Sequence, residues 1–254
     1  MTRPPGAEPG GSARPAGRAT ERPAARSAAH RAVQRQAWSV GLATGAYGVS
    51  FGALSVASGL DVWQTVALSA LMFTGGSQFA FVGVVGAGGT GLAAIATSTL
   101  LGIRNGLYGL QVSEFLGVRR GQRALAAQLT IDESTAVAIA QDHDHPRRIG
   151  FWHTGIAVYL FWNLFTLIGA VVGNALGDPR RWGLDGAAAA AFVALLWPRL
   201  RSRDAGATAA LAVIVTVLVV PQAPAGIPVL VAALAALVVG LWPRRQAPRE
   251  ATPS

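Results

Sequence analysis

The sequence predicts an all-α fold: a polytopic integral membrane helix bundle with about six spanning helices and one broken or re-entrant segment. Composition is the first reason, because 52% of the 254 residues are hydrophobic and only 13% are charged, against roughly 25% charged in a typical soluble domain. The second reason is that the apolar runs are too long and too numerous for the core of a soluble protein. Both features indicate a chain that lies in a lipid bilayer.

Arginine carries the positive charge, since all 21 basic residues are Arg and the formal net charge is +9. A basic chain can indicate a nucleic-acid partner. Here the arginines cluster in short segments between apolar runs, as in cytoplasmic loops of membrane proteins. We therefore expect the lipid bilayer, and no nucleic acid, as the partner of these charges. The absence of cysteine excludes disulfides, thiolate metal sites and cysteine nucleophiles.

Three regions follow from composition. Residues 1–36 are rich in Pro, Gly, Ala, Ser and Arg and poor in large apolar side chains. Such a segment cannot bury enough surface to offset the entropy of ordering, so it is predicted to be a disordered cytoplasmic tail. Residues 37–243 form the membrane domain, and residues 244–254 form a short cytoplasmic C-terminal tail.

The first spanning helix is predicted from Val40 to Leu60. Its glycines recur at spacings of three and four, which places a stripe of small residues on one face and favours close helix packing. They are Gly41, Gly45, Gly48 and Gly52.

The next apolar run, Trp63 to Gly86, is interrupted by Thr74-Gly75-Gly76-Ser77-Gln78. Two adjacent glycines weaken the helix, and an unpaired backbone group in hydrocarbon costs several kcal/mol unless it is buried in protein or lines a polar cavity. Discontinuous membrane helices of this kind often expose their ends to a substrate or ion. The pattern predicts a binding site; a small-residue packing face is the alternative.

A third run, Leu92 to Leu116, contains Arg104-Asn105 and then Tyr108. An arginine near the bilayer centre costs about 2.5–3.5 kcal/mol on insertion scales, so it usually faces a cavity or a partner. A guanidinium also grips a carboxylate in a fixed fork. The alternative is that the helix enters water early and Arg104 only snorkels.

The segment Ala124 to Ala140 has helical apolar spacing but carries Asp132 and Glu133, so it is predicted as one helix lying on or dipping into the bundle. These acids could carry protons or contact a substrate amine, or they could form a solvated helix face.

The cluster Asp142-His143-Asp144-His145 is interpreted as a solvated loop and not as a metal site, because consecutive side chains point in different directions.

Four more helices complete the predicted bundle: Gly150 to Asn174, Leu184 to Trp197, Ala205 to Val220 and Ile227 to Trp242. With the N-terminus inside, the arginine clusters remain cytoplasmic if Trp63 to Gly86 is re-entrant and Leu92 to Leu116 crosses. Gly150 to Asn174 would then leave the cytoplasm in the same direction as the first helix. The predicted location is the cell membrane, multi-pass.

Four motifs in this order resemble the azaleucine-resistance (AzlC) branched-chain amino acid permease family. They are Ser50-Phe51-Gly52-Ala53-Leu54, Phe73-Thr74-Gly75-Gly76-Ser77-Gln78-Phe79, Leu100 through Arg104-Asn105 to Tyr108-Gly109, and Leu129-Thr130-Ile131-Asp132-Glu133. The resemblance implies an inner-membrane permease that exports branched-chain amino acids, usually with a separately encoded small membrane subunit. Gly76, where the family more often has another small residue, and the Arg-rich tail depart from the pattern.

The family fingerprint maps onto Gly75, Ser77, Gln78, Arg104, Asn105, Asp132 and Glu133. With the neighbouring polar groups this gives a predicted substrate site of Thr74, Gly75, Gly76, Ser77, Gln78, Arg104, Asn105 and Tyr108, and a coupling role for Asp132 and Glu133. The expected substrate is a small amino acid.

Two other classes of protein remain open from the sequence. One is a membrane-embedded hydrolase using Ser77 with His153, and the other is a structural membrane subunit without transport activity. No cofactor is expected, and the chain has no Gly-rich loop ending in Lys for a nucleotide.

Overall fold

The computed structural model describes residues 23–176, 193, 196–197, 200–224 and 227–241. Every regular element in this part of the chain is a helix, which confirms the all-α class. The helices are α1 (Pro23–Ala57), α2 (Val62–Leu71), α3 (Gly76–Gly86), α4 (Gly91–Leu116), α5 (Arg120–Gln128), α6 (Asp132–Ile139), α7 (Asp144–Ala175), α8 (Arg203–Val219) and α9 (Ile227–Leu241).

Some predicted segments lie outside the described residues. They are the first part of the N-terminal tail, residues 1–22, and the C-terminal tail from residue 244. Most of the predicted helix Leu184 to Trp197 also lies outside.

Helices α1 and α7 share the most extensive contact among the described elements, and they run parallel. The glycine stripe of α1 makes this contact: a Cβ built at Gly41 would lie 2.5 Å from the Cβ of Ala157, and one at Gly173 would lie 3.0 Å from the Cα of Ala53. The order of the contacts along α1 follows the order along α7, so the two helices run in the same direction. The predicted packing face is confirmed, because any side chain at these positions would push the helices apart.

Two helices in the described part are long and apolar enough to cross a membrane, Ser27–Ala57 and Asp144–Ala175. The apolar helices α2 and α3 are shorter, and α4 carries a central arginine. The number of about six spanning helices therefore stays a prediction.

Helix α1 begins at Pro23, so the predicted disordered tail is wrong for residues 23–36. Alanine and arginine in this stretch are strong helix formers. The stretch also packs against α7: Val33 is buried, the rings of His30 and His145 lie 4.8 Å apart, and Gln34 bonds His153. These contacts stabilise the helix well before the first long apolar run.

The single helix predicted from Ala124 to Ala140 is also wrong, because the chain breaks between α5 and α6 at residues 129–131. The break contains neither glycine nor proline. Thr130 Oγ1 instead donates to Ala126 O at 2.7 Å, while Ser134 Oγ accepts the Ile131 N–H at 3.1 Å and donates to Leu129 O at 2.6 Å. Short hydroxyl side chains compete for backbone groups in this way and end helices.

The main apolar core lies between α1, α3, α4 and α7, with single residues from α5 and α6. Its largest fully buried side chains include Phe51, Phe79 and Phe151. Phe51 stacks on Trp162 with 5.9 Å between ring centroids, and Phe79 meets the same indole edge-on at 6.2 Å. Two of these aromatic residues, Phe79 and Trp162, also line the cavity described below.

Candidate functional site

The predicted break in the second apolar run is confirmed, because α2 ends at Leu71 and α3 begins at Gly76. Gly75 joins them with φ +54° and ψ −91°, a backbone conformation that only glycine adopts at low cost. The Gly-Gly pair therefore determines where the helix stops and how the chain turns.

Side chains from three other helices satisfy the carbonyls at the end of α2. The Gln78 Nε2 amide donates to Leu68 O at 3.2 Å and to Ser69 O at 3.1 Å. Gln128 Nε2 donates to Ala70 O at 2.8 Å, and the Tyr159 hydroxyl reaches the same oxygen at 3.4 Å. The last carbonyls of a helix have no partner within the helix. Here side chains of the protein supply their hydrogen bonds.

The beginning of α3 is different. Among the described residues, no side chain caps its N-terminus. The first amides of a helix point outward and carry partial positive charge, which suits an anionic group. Gly75 and Gly76 lack side chains that would cover these amides, and both line a cavity.

Arg104 in the middle of α4 reaches this cavity. Its Nη1 lies 3.2 Å from Oδ2 of Asp132, the first residue of α6. Its Nη2 would be 3.2 Å from a Cβ built on Gly76, so the guanidinium lies over the start of α3. The side chains of Arg104 and Asp132 are 27% and 22% exposed. The prediction that Arg104 has a partner is confirmed, and the partner is an acid of the protein.

The cavity has a volume of about 340 Å³, within the range usual for small-molecule sites. Six of the predicted site residues line it, and they come from both helix breaks and from α4. These are Thr74, Gly75, Gly76, Arg104, Asp132 and Glu133.

Four predicted site residues lie outside the lining. Ser77 and Gln78 are buried, and Gln78 joins α3 to α2 through the hydrogen bonds described above. Asn105 and Tyr108 are half-buried on α4. Their roles as substrate contacts stay predictions.

Eight lining residues were not predicted: Ala43, Thr44, Tyr47, Phe73, Phe79, Ile131, Val158 and Trp162. Most of them are apolar, and we call this part of the lining the apolar wall. Their spacing carried a partial signal, because Val158 and Trp162 lie four residues apart on α7 and so share a face. Apolar residues at that spacing are equally typical of a core, and only the fold separates the two.

Several polar atoms in and beside the cavity are buried and lack a hydrogen-bond partner among the described residues. Thr74 Oγ1, Arg104 Nε and Trp162 Nε1 are among those on lining residues. Such groups are costly when left unpaired, and native proteins rarely leave them so without a reason.

The catalytic pair considered for a hydrolase does not form. A backbone carbonyl only accepts, so His153 Nδ1 donates to Ile149 O at 2.9 Å, and its Nε2 accepts from the Gln34 amide at 3.2 Å. Both ring nitrogens are engaged, and Ser77 Oγ has no partner among the described residues.

The described part of the chain also holds no group of three or more metal-ligating side chains.

The loop predicted at residues 142–145 is partly wrong, since α7 already begins at Asp144. Asp144 accepts from Arg147 at 3.5 Å, one turn along. An acid in the first turn and a base just after it stabilise a helix start.

These features define a class: a helical membrane protein with a solute-sized cavity at two helix breaks. A protein-family model described as AzlC protein matches residues 39–176, more than half of the chain. The protein belongs to the AzlC family, a transport-related family associated with branched-chain amino acid transport. Comparisons with curated proteins and with solved structures gave no match.

Proposed function

We propose that the protein is a permease that exports branched-chain amino acids across the cell membrane, as the large subunit of a two-component exporter with a small membrane partner. The supporting observation is that one cavity holds a guanidinium–carboxylate pair, an uncapped helix start and an apolar wall. An amino acid with an aliphatic side chain carries the three complementary groups.

The substrate carboxylate would bind where positive charge is offered, at the amides that begin α3 and at the Arg104 guanidinium above them. The substrate ammonium would face the acids at the start of α6, Asp132 and Glu133, which line the same cavity. Positive and negative groups that line one cavity would select a zwitterion over a simple acid or amine.

The substrate side chain would contact the apolar wall. Phe73 and Phe79 are buried there, together with Val158 and Trp162. These rigid groups provide contact area for a branched aliphatic chain, whereas a polar side chain packed against the phenyl rings and Val158 would lose hydrogen bonds on entry.

The parallel packing of α1 and α7 supports the multi-pass arrangement. The position of the N-terminus inside is argued from the arginine clusters alone. If both helices leave the cytoplasm, an odd number of crossings separates them, and α4 supplies it when α2 and α3 enter and return on one side. The transport domain would then extend over residues 37–243, with the start of α1 and residues 244–254 in the cytoplasm.

The partner subunit would pack against an exposed apolar face. On α4, Leu92, Ile103, Leu107 and Leu110 are each more than half exposed. In a membrane this face meets either lipid or another helix, and it lies on the helix that carries Arg104. A small membrane subunit bound here would contact the transport site indirectly.

The test is efflux of leucine from cells preloaded with leucine-containing dipeptides, with and without the small subunit. We expect the intact protein with its partner to speed efflux. Arg104→Ala should abolish that gain, because it removes the cation of the cavity. Arg123→Ala is the matched control, since Arg123 is exposed on α5 and does not line the cavity.

The amount of each variant that is inserted in the membrane is measured in the purified membrane fraction. If the intact protein and its partner change no branched-chain amino acid flux, the substrate assignment is wrong. If Arg104→Ala exports as well as the intact protein does, the cavity is not the transport site.

A further inference from the structure

Trp162 is a residue of the apolar wall with a buried donor whose hydrogen bond is unaccounted for among the described residues. The residue lines the cavity, is 4% exposed, and its Nε1 is buried without a partner. An indole nitrogen can only donate. A buried donor without an acceptor is destabilising, so this position calls for an acceptor that the described residues do not supply.

The indole is held in a fixed orientation. Phe51 stacks on it at 5.9 Å with 25° between the ring planes, and Phe79 meets it edge-on at 6.2 Å and 82°. Phe79 also lies one turn into α3, next to the uncapped start of that helix. The two ring contacts therefore restrict the orientation of the indole and place it beside Phe79, near the start of α3.

The chemistry of the cavity limits what the acceptor can be. The Asp132 carboxylate is already directed at Arg104, 3.2 Å away. A second cavity donor, Arg104 Nε, also has no hydrogen-bond partner among the described residues. A carboxylate offers two oxygens with about four acceptor positions, so a single ligand carboxylate could serve more than one of these donors.

We propose that Trp162 is a substrate-binding residue whose indole N–H donates to the carboxylate of the transported amino acid. This inference rests on the proposed function and deepens it: carboxylate recognition is shared between α7 and the start of α3. Trp162 thereby contributes to selection of amino acids over the corresponding amino alcohols, which carry the ammonium and side chain but no carboxylate.

The test compares leucine and leucinol binding to the purified full-length protein in lipid nanodiscs by calorimetric titration. Trp162→Phe keeps an aromatic ring but removes the donor. We expect it to weaken leucine binding about tenfold or more, as for a lost hydrogen bond to a charged group, and to leave leucinol binding within about twofold. Trp152→Phe is the matched control, a half-buried tryptophan of α7 that does not line the cavity.

A second readout follows the donor directly. In protein labelled with ¹⁵N-tryptophan, the indole resonance that is lost in Trp162→Phe should shift on addition of leucine and should not shift on addition of leucinol. This readout does not depend on whether the variant binds leucine, and unchanged resonances of the other tryptophans show that the variant is folded.

The inference is overturned if Trp162→Phe binds leucine like the parent, if leucine and leucinol lose affinity equally, or if the Trp162 resonance ignores leucine. If one of these results is found while the parent protein binds leucine, the inference about Trp162 is wrong and the proposed function is not contradicted. A parent protein that binds no leucine contradicts both.

Discussion

The two helix breaks reach the same cavity by different routes. Between α2 and α3 the turn depends on Gly75 with a positive φ, and the amides that follow are uncapped. Between α5 and α6 the turn depends on hydroxyl side chains, and the helix that follows opens with two acids. One break offers positive charge and the other offers carboxylates. Together they provide the two poles that a zwitterion needs.

The breaks are also joined to each other. Gln128, the last residue of α5, donates to Ala70 O at the end of α2, so the residue before the second break closes the helix before the first. On the cavity side, Arg104 lies over Gly76 while it pairs with Asp132. A displacement of either break would therefore be transmitted to the other.

The largest predicted effect comes from removing the acid that connects the two breaks. Asp132→Ala leaves the partly buried Arg104 without the carboxylate seen here, and should destabilise the protein by about 3 kcal/mol. The measurement is thermal unfolding in detergent. Asp142→Ala, at an exposed position, is the control and should change little.

A double variant separates the interaction energy of the Arg104–Asp132 pair from the cost of removing each side chain alone. If the Arg104–Asp132 pair carries the effect, Arg104→Ala with Asp132→Ala should lose less stability than the two single changes added together. Simple additivity would show that the pair contributes nothing to joining the breaks.

The next effect in size tests the glycine turn. Gly75→Ala meets no atom within 4 Å, so its cost comes from the positive φ alone and should be about 2 kcal/mol. The matched control is Gly106→Ala on α4, where a Cβ also meets nothing within 4 Å but the backbone is helical. Equal unfolding temperatures for the two variants would mean that the first break does not depend on glycine.

The smallest effect tests the hydroxyl turn. Ser134→Ala removes an acceptor for the Ile131 N–H and a donor to Leu129 O, both buried, and should cost about 1 kcal/mol. Ser113→Ala is the control, because its hydroxyl bonds Leu110 O on an exposed surface. A loss at Ser134 no greater than at Ser113 would contradict the account of the second break.

The sequence was sufficient for the local features of the site. Adjacent glycines in an apolar run indicate a break by themselves, and a mid-helix arginine indicates a partner. The second break was missed because Leu129-Thr130-Ile131 contains no helix breaker, and its hydrogen bonds come from residues on either side. Trp162 was missed because an apolar helix face looks the same whether it packs in a core or lines a cavity. The hydrogen bonds of the Gln78 amide to α2 were not predicted, and contact of Gln78 with substrate stays a prediction.

The central claim is that both breaks line one substrate site, and accessibility of introduced cysteines tests it most directly because the chain has none of its own. Thr74→Cys and Ile131→Cys place one thiol at each break, and Ser113→Cys places one on an exposed surface away from the cavity. We predict that leucine slows labelling by a small charged thiol reagent at both breaks and leaves position 113 unaffected. Protection at one break alone, or at neither, would contradict the claim.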